Sequence, residues 1–557
     1  MNSGLAGLSI AQAAELLRTR TISPVELTRA LIERISEFDS QLSAFITPTP
    51  ELALAQARKA EGEIAKGAYR GPLHGIPIGL KDIYNTAGIR TTAGSRIFSN
   101  NIPSHDATAF ALLTDAGAIL LGKLATHEFA IGGPSHDLPW PVPRNPWNFE
   151  HFVGGSSSGS AGAVAAGFVL GALGSDTGAS IRNPCALAGI AGLKPTYGLV
   201  SRYGVIPNSP SFDHCGPMAW TVEDCAILLQ AIAGYDANDP ASVRTRVPDF
   251  RAGLGMSLQG VRIGVVRHFW EEDLPAGPDM RAALDQAIEV FSALGASVQL
   301  ARMRPLRDYH DVRMVIAQTE VFSNHQKDLI DRPAEFGEEL IRKVLPACLF
   351  TGADYVNAQR ERAVMLREMV ALYRRFDVLL TAGAGPAPRL DQMDSLDFWC
   401  KPSIYNPFNI TAGPALAVCI GFSGSGMPLG MQLAAEPFRD DVLLRVGHAY
   451  ESATPWRNLR PVLKKGAPPE PVKRVLAPMR VESDDSTPQN LELFALRAGL
   501  KLGPRERGIL MEVAPHALAM ASRIRPHGAR ENEPASVFVH PGSAIEIPWG
   551  EQSVSST

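Results

Sequence analysis

The feature that most constrains this chain is residues 152–216, which consist largely of Gly, Ser and Ala and carry few charges. Small side chains let backbone segments approach each other closely, so this composition suits a buried site better than a surface linker. Its charge-free part, residues 156–175, is too interrupted by Gly and Ser to form a membrane-spanning helix. The fold must therefore enclose this stretch within a large core.

The rest of the main body alternates short apolar segments with helical patterns. Near the N-terminus, Ser23 as a cap, Pro24 at the first helical position and Glu26 predict the start of an amphipathic helix. This alternation predicts an α/β fold in which helices cover a mostly parallel or mixed sheet. The predicted strands are 76–80, 118–121, 261–266 and 378–380, and the predicted helices include 221–232 and 280–294.

The overall composition excludes several classes of protein. The chain has 557 residues, a formal net charge of −4, 45% hydrophobic and 20% charged residues, as expected for a soluble globular protein rather than a nucleic-acid or membrane partner. Charged side chains lie where a signal peptide would need its apolar stretch, so we expect a cytoplasmic protein. The six cysteines form no CxxC pair, which favours buried reduced thiols. We expect no metal site and no cofactor.

The C-terminal part differs in composition from the main body, residues 1–464. Residues 465–490 combine Pro and charges and are typical of an exposed linker. Residues 491–557 predict a short helix, a turn at Gly503 and Pro504, a second helix, and an extended tail at 533–549. So short a module has a weak core of its own, so we expect it to dock on the main body.

The loop at residues 154–160 and the turn at residues 174–182 carry the richest chemistry. A Gly/Ser loop before a helix could bind phosphate, but this loop has neither a Gly-Lys-Ser/Thr ending nor a GxGxxG pattern. Amide hydrolysis instead needs a nucleophile, a base and backbone donors for the oxyanion. The Gly-rich turn at residues 174–182 supplies a hydroxyl and backbone donors for the oxyanion, namely the N–H groups of Thr177, Gly178, Ala179 and Ser180.

Lys81 is the candidate base. It ends an apolar segment, where desolvation would lower its pKa towards a value at which the neutral amine can accept a proton. The adjacent Asp82 supports an alternative, a plain ion pair. A histidine base has less support, because no Gly-x-Ser-x-Gly elbow accompanies the thirteen histidines.

Three motifs together resemble the amidase signature family: GIPIGLKD at 75–82, GGSSSGS at 154–160 and SDTGASIR at 175–182. Further segments with the same resemblance are HEFAIGGPSHDLPWPVPRNPWN, AGLKPTYGLVSRYGVIP and PFNITAGPALAV. The resemblance covers about residues 5–460, with motifs that agree in both order and spacing. It implies the amidase signature fold, with a large mixed β-sheet covered by helices on both faces.

The resemblance also implies a catalytic triad. Ser180 would be the acylated nucleophile, Ser156 a bridging serine that follows a cis peptide bond, and Lys81 the ultimate base. The proton of Ser180 would pass through Ser156 to Lys81 and return to the departing amine, after which water hydrolyses the acyl-enzyme.

Supporting roles follow from the same resemblance. Asp176 and Arg182 would fix the nucleophile turn as a pair, with a solvated surface pair as the alternative. Ser157 would hydrogen-bond within the relay or, alternatively, cap the backbone. His214 resembles part of a structural turn rather than a catalytic residue.

The substrate pocket is less defined by sequence. Gly132 and Gly133 lie where the family lines the acyl pocket. Phe129, Trp147 and Phe398 are candidates to contact substrate, and each is equally well explained as core.

Ala179 departs from the family pattern, which has Gly there. Its methyl group disfavours a left-handed backbone by about 1 kcal/mol, and we expect the donor geometry to survive.

The leading hypothesis is an amidase that acts on a small non-peptide amide, anilide, carbamate or urea-like compound. The second is the glutaminase component of a tRNA-dependent amidotransferase, which has less support because no basic tRNA-binding face is evident. The third is a catalytically silent relative, suggested by Ala179. The C-terminal module resembles the C subunit of the tRNA amidotransferase and the small subunit of bacterial biuret hydrolase; alternatively, it is an oligomerisation tail of a homodimer.

Overall fold

The computed structural model describes residues 2–131, 133–393, 395–472 and 488–524. Gly132 and the tail at 533–549 lie outside the described residues. The strands are β1 (Phe45–Pro48), β2 (Pro77–Lys81), β3 (Ile119–Leu124), β4 (Arg144–Asn145), β5 (Asn148–Phe152), β6 (Gly171–Asp176), β7 (Ala191–Lys194), β8 (His214–Ala219), β9 (Arg262–Val265), β10 (Ser297–Leu300), β11 (Val378–Ala382), β12 (Ala415–Phe422) and β13 (Pro428–Ala435).

The helices of the described residues are more numerous than the sequence patterns predicted. They are α1 (Ile10–Arg18), α2 (Pro24–Leu42), α3 (Pro50–Ala65), α4 (Thr108–Asp115), α5 (Ser158–Ala165), α6 (Arg182–Ala188), α7 (Val222–Ile232), α8 (Pro278–Ala293), α9 (Leu306–Asp331), α10 (Glu338–Val344), α11 (Gly352–Tyr373), α12 (Asp397–Cys400), α13 (Asn406–Ile410), α14 (Asp440–Ser452), α15 (Pro488–Arg497) and α16 (Pro504–Ile524).

Eleven strands form one mixed sheet, in the order β1-β3-β2-β6-β8-β7-β12-β13-β11-β9-β10. β2 pairs in parallel with β3 and β6, whereas β6, β8, β7, β12 and β13 follow one another in antiparallel pairs. The predicted mixed α/β fold is therefore confirmed. Because β2 and β6 are parallel neighbours, their carboxyl ends meet at the same edge of the sheet.

The local predictions agree well with the structure. Ser23 caps α2 by accepting the N–H of Glu26 at 3.0 Å, with Pro24 at the first helical position. The four predicted strands correspond to β2, β3, β9 and β11, and the two predicted helices to α7 and α8. Of the six cysteines, none of which forms a disulfide with another cysteine of the described residues, Cys348 and Cys400 are only half-buried, so the prediction of buried thiols holds for four.

The C-terminal helices pack on the main body. α16 lies against α9, α10 and α11. Arg523 at its end pairs with Asp311 of α9, at 2.8 Å between its Nη2 and Oδ1, and Glu512 pairs with Arg342 of α10. The first of these helices begins at Pro488, inside the predicted linker, and proline is well suited to the first position of a helix. Among the helices that the structure describes, none is long and apolar enough to cross a bilayer.

Candidate active site

Lys81 and the 174–182 turn meet because they lie at the carboxyl ends of two parallel neighbouring strands. Lys81 is the last residue of β2, and Asp176 is the last residue of β6. Ser156 lies just before α5, the short helix that leads back to β6, so its hydroxyl reaches the same edge of the sheet. The peptide bond between Gly155 and Ser156 is cis.

The amine of Lys81 is fully enclosed and touches two hydroxyls. Its Nζ lies 2.6 Å from Ser156 Oγ and 2.9 Å from Ser175 Oγ. Burial lowers the pKa of Lys81 to about 7, against the opposing attraction of Asp176 and Asp213. A substantial share of this amine is therefore uncharged at neutral pH, which allows it to accept a proton from a neighbouring hydroxyl.

Ser175 is a residue that the sequence reasoning missed as a partner of the amine. It lies in the quoted SDTGASIR motif, but its face of the strand could not be read from the motif alone. Ser157 has a different environment from the one the relay prediction gave it. Its Oγ lies 3.2 Å from both the N and the O of Ser175, so this side chain bonds to the backbone of β6.

Asp176 holds the turn that contains Ser180. Its carboxylate accepts the N–H groups of Ala179 at 3.0 Å and Ile181 at 3.2 Å, and pairs with the Arg182 guanidinium, whose Nη2 lies 2.9 Å from Oδ1. Burial acts to raise the pKa of Asp176, but Arg182 and the Asn409 amide hold it well below its usual range. The pair is fully buried, which excludes the solvated surface pair.

Arg182 extends this network into the second half of the sheet. Its Nη1 donates to the carbonyl of Tyr405 at 3.0 Å and to the Gln432 side chain. Its Nη2 donates to Asn409 Oδ1 at 2.5 Å. The nucleophile turn is therefore anchored to elements more than two hundred residues away in the chain.

Ala179 adopts a φ of +136°, a backbone conformation that favours glycine. The turn keeps its shape despite the methyl group, because Asp176 binds the N–H of Ala179. In the part of the chain that the structure describes, the N–H groups of Thr177, Gly178 and Ser180 donate to no protein acceptor.

A cavity of about 430 Å³ opens onto this turn. Residues 177–180 form one wall, and α9, α10 and α12 with the segment after it contribute others. Four lining residues carry a buried polar atom that has no partner among the residues the structure describes: His127 Nε2, Arg313 Nε, Gln318 Oε1 and Ser395 Oγ. Such atoms are costly in an apolar environment, so the cavity suits a polar ligand.

His127 presents a hydrogen-bond donor to the cavity. Its Nδ1 accepts the N–H of Gly133 at 2.8 Å, and burial holds its pKa well below the ordinary value. A neutral ring whose Nδ1 is an acceptor carries its proton on Nε2. Gly155 is required beside it, because a Cβ there would lie 2.1 Å from the ring.

The aromatic candidates separate clearly. Phe398 lines the cavity. Phe129 does not, because its ring is 2% exposed and packs against Phe98, His325 and Phe336. Trp147 donates its indole N–H to the carbonyl of Ala188 at 2.9 Å, away from the cavity wall. Core packing accounts for both of these residues.

His214 lies on β8 beside Asp176 and is buried. Its Nδ1 faces the carbonyl of Phe212 at 2.6 Å and its Nε2 faces Lys194 Nζ at 3.2 Å. Burial lowers its pKa well below the ordinary value. These contacts agree with a role in the turn. In the described residues no group of His, Cys, Asp and Glu side chains is arranged to hold a metal ion.

Comparisons with known proteins agree with this architecture. The family model described as Amidase matches residues 26–444. A glutamyl-tRNA(Gln) amidotransferase subunit of Geobacter metallireducens is 40% identical over 477 residues, covering 81% of this chain and 98% of that relative. A solved structure reported with a vestigial protein complex and an s-triazine catabolic enzyme is 32% identical, with a TM-score of 0.75, over 80% of this chain and 98% of that one. The native peptide amidase of Stenotrophomonas maltophilia is 30% identical, with a TM-score of 0.71, over 84% of this chain and 98% of that one.

These matches, together with the mixed sheet, define an enzyme of the hydrolase class that acts on carbon–nitrogen bonds. The chain belongs to the amidase signature family, and its fold is the fold of that family.

Proposed function

We propose that the protein hydrolyses an amide by a Ser180–Ser156–Lys81 mechanism with an acyl-enzyme intermediate. The observation that carries this proposal is the buried amine of Lys81, with a pKa of about 7, 2.6 Å from Ser156 Oγ. The opening of the cavity onto Ser180 supports the same assignment, since the nucleophile is the member of the triad that must meet substrate.

The reaction begins when neutral Lys81 takes the proton of Ser156, which in turn takes that of Ser180. Ser180 Oγ attacks the amide carbon, and the N–H groups of Thr177, Gly178 and Ser180 stabilise the oxyanion. Ala179 contributes differently, because its N–H is committed to Asp176. The proton then returns through Ser156 to the leaving nitrogen, the C–N bond breaks, and water hydrolyses the acyl-enzyme.

Two substrate classes are candidates for the acyl donor. The small non-peptide amide was the first expectation from sequence, and the solved neighbours include a 6-aminohexanoate cyclic dimer hydrolase. Glutamine, as the ammonia donor of a tRNA-dependent amidotransferase, has stronger support from the curated relatives, which match at 36–40% identity over 98–99% of their length. We therefore place the glutaminase function first and the small-amide function second.

The C-terminal helix pair bears on the choice of partner. The relatives are named as subunits, which favours a protein partner for this chain as well. In this chain α15 and α16 pack on the main body and would serve as a covalently linked small subunit, which has a high effective concentration. The alternative, an oligomerisation tail of a homodimer, predicts a dimer in solution that is lost when residues 465–557 are removed.

The test is ammonia or amine release from glutamine, biuret, benzamide and acetanilide by the purified full chain. Release from glutamine alone supports the glutaminase function, and release from the other compounds supports a general amidase. A phosphonate that reacts with active serines should label Ser180 and no other residue. If Ser180 is unlabelled and no amide is hydrolysed, the chain is a silent relative and the mechanism fails.

A further inference from the structure

Arg313 is a buried guanidinium on the wall of the active-site cavity. It lies in the middle of α9, is only 7% exposed, and lines the cavity beside the nucleophile turn. Burial lowers its pKa to about 10, so it stays charged at neutral pH. An uncompensated charge in such a position carries a large desolvation penalty.

The charges around the cavity leave Arg313 as the one without a counter-ion among the described residues. Lys343 pairs with Glu339 at 3.1 Å, and Lys401 pairs with Asp397 at 2.9 Å. Within the described parts of the chain, Arg313 forms no ion pair, its Nε has no partner, and its Nη1 meets only the weak acceptor Met314 Sδ at 3.3 Å.

Neighbouring groups do not satisfy this guanidinium. Asp176 and Asp213 attract it from a distance, but Asp176 is committed to Arg182, and Asp213 accepts from Thr177 Oγ1 at 2.6 Å. The Phe398 ring centroid lies 5.9 Å from Cζ, near the limit of a cation–π contact. Such a contact offsets only part of the cost of burying the charge.

The guanidinium also lies directly against the nucleophile turn. A Cβ at position 178 would lie 2.6 Å from Nη2 and 2.9 Å from Nε, so only Gly178 leaves room for it. A substrate group bound by Arg313 would therefore be separated by only a few covalent bonds, within the same substrate molecule, from the carbonyl carbon that Ser180 attacks.

We propose that Arg313 is a specificity-determining residue that binds a carboxylate on the acyl part of a short amide substrate. This inference rests on the proposed amidase function and narrows it to monoamides of short dicarboxylic acids and their derivatives. The fork geometry of a guanidinium matches a carboxylate, and the bound anion supplies the counter-ion that the cavity lacks.

The test compares amides that differ only in the carboxylate. Succinamic acid is paired with butyramide, and glutaramic acid with valeramide, and kcat/KM is measured for the wild type, Arg313→Met and Arg313→Lys. We expect the wild type to prefer at least one acid by about 100-fold, as an unpaired buried charge predicts. Arg313→Met should lose that preference, so that its acid-to-neutral ratio falls towards one, and Arg313→Lys should keep part of the preference.

Arg307→Met is the matched control. Arg307 is on the same helix but does not line the cavity, and it donates to the carbonyl of Cys400 at 2.7 Å. This variant should keep the wild-type preference. Equal acid-to-neutral ratios in the wild type and Arg313→Met, for both pairs, would overturn the proposal.

A binding experiment separates this inference from the proposed chemistry. Calorimetry measures succinamic and glutaramic acid binding to Ser180→Ala and to the Ser180→Ala, Arg313→Met double variant. If the wild type hydrolyses nothing but Arg313 is required for acid binding, the carboxylate site stands and the amidase proposal fails. If hydrolysis occurs and both variants bind the acids equally, the amidase proposal stands and the carboxylate site fails.

Discussion

Lys81 and Lys194 are two buried lysines of the same sheet, and they differ in what surrounds the amine. Each ends a strand and is fully buried, and burial lowers the pKa of each to about 7. Lys81 faces the hydroxyls of Ser156 and Ser175, whereas Lys194 faces the carbonyl of Gly413 at 2.5 Å and His214. A lowered pKa is therefore not enough to identify a base, because the amine also needs an acidic proton within reach.

The largest expected effect comes from removing each amine in turn. Lys81→Ala should lower kcat by about 10⁴-fold or more, because the triad acts as a unit. Lys194→Met should lower the free energy of unfolding by about 1–3 kcal/mol, through the unpaired Gly413 carbonyl, and leave kcat within a few-fold. Steady-state kinetics and urea denaturation of both variants measure this contrast. Near-normal turnover by Lys81→Ala would show that Lys81 is not the base.

The pH profile sharpens the same contrast. Because burial lowers the pKa of Lys81 to about 7, its neutral form predominates above that pH and is lost below it. We expect kcat/KM to fall with a slope that approaches tenfold per pH unit below about pH 6, or about 50-fold in all between pH 7 and pH 5. The Lys194→Met variant should show the same fall in kcat/KM at acid pH as the wild type. A profile that is flat across this range would contradict a lysine base.

Ser175 and Ser157 allow a smaller test of which hydroxyls serve the amine. Ser175→Ala removes a hydroxyl 2.9 Å from Lys81 Nζ, and we expect kcat to fall about tenfold, the worth of one such hydrogen bond. Ser157→Ala removes bonds to the backbone of β6 and should mainly lower the free energy of unfolding, by about 1 kcal/mol. If Ser157→Ala instead lowers kcat more than Ser175→Ala does, Ser157 takes part in the proton relay.

The smallest expected effect is at Ala179. With φ at +136°, Ala179→Gly should relieve up to about 1 kcal/mol of backbone strain, visible as a higher urea midpoint, with kcat unchanged or raised. Ala111→Gly, in the regular helix α4, is the control and should cost about 1 kcal/mol. Destabilisation by both substitutions would show that the turn gains nothing from glycine.

Local sequence chemistry predicted much of the framework. The Ser23 cap, the strand ending at Lys81 and the helix α7 follow from nearest-neighbour preferences and periodicity, so the sequence alone was enough to predict them. The long helices α9 and α11 were not anticipated, because charged residues recur among their buried positions and weaken the amphipathic pattern.

The motifs of the chain by themselves determined the family, the mixed α/β sheet and the candidates Lys81, Ser156 and Ser180. Only the tertiary structure decided that Ser175 touches the amine, that Phe129 belongs to the core and that Arg313 reaches Gly178. The physical reason is that burial and partnership depend on residues far apart along the chain. A lone arginine in the apolar run at 312–317 signals a buried charge, but what it faces depends on how α9 packs against the turn.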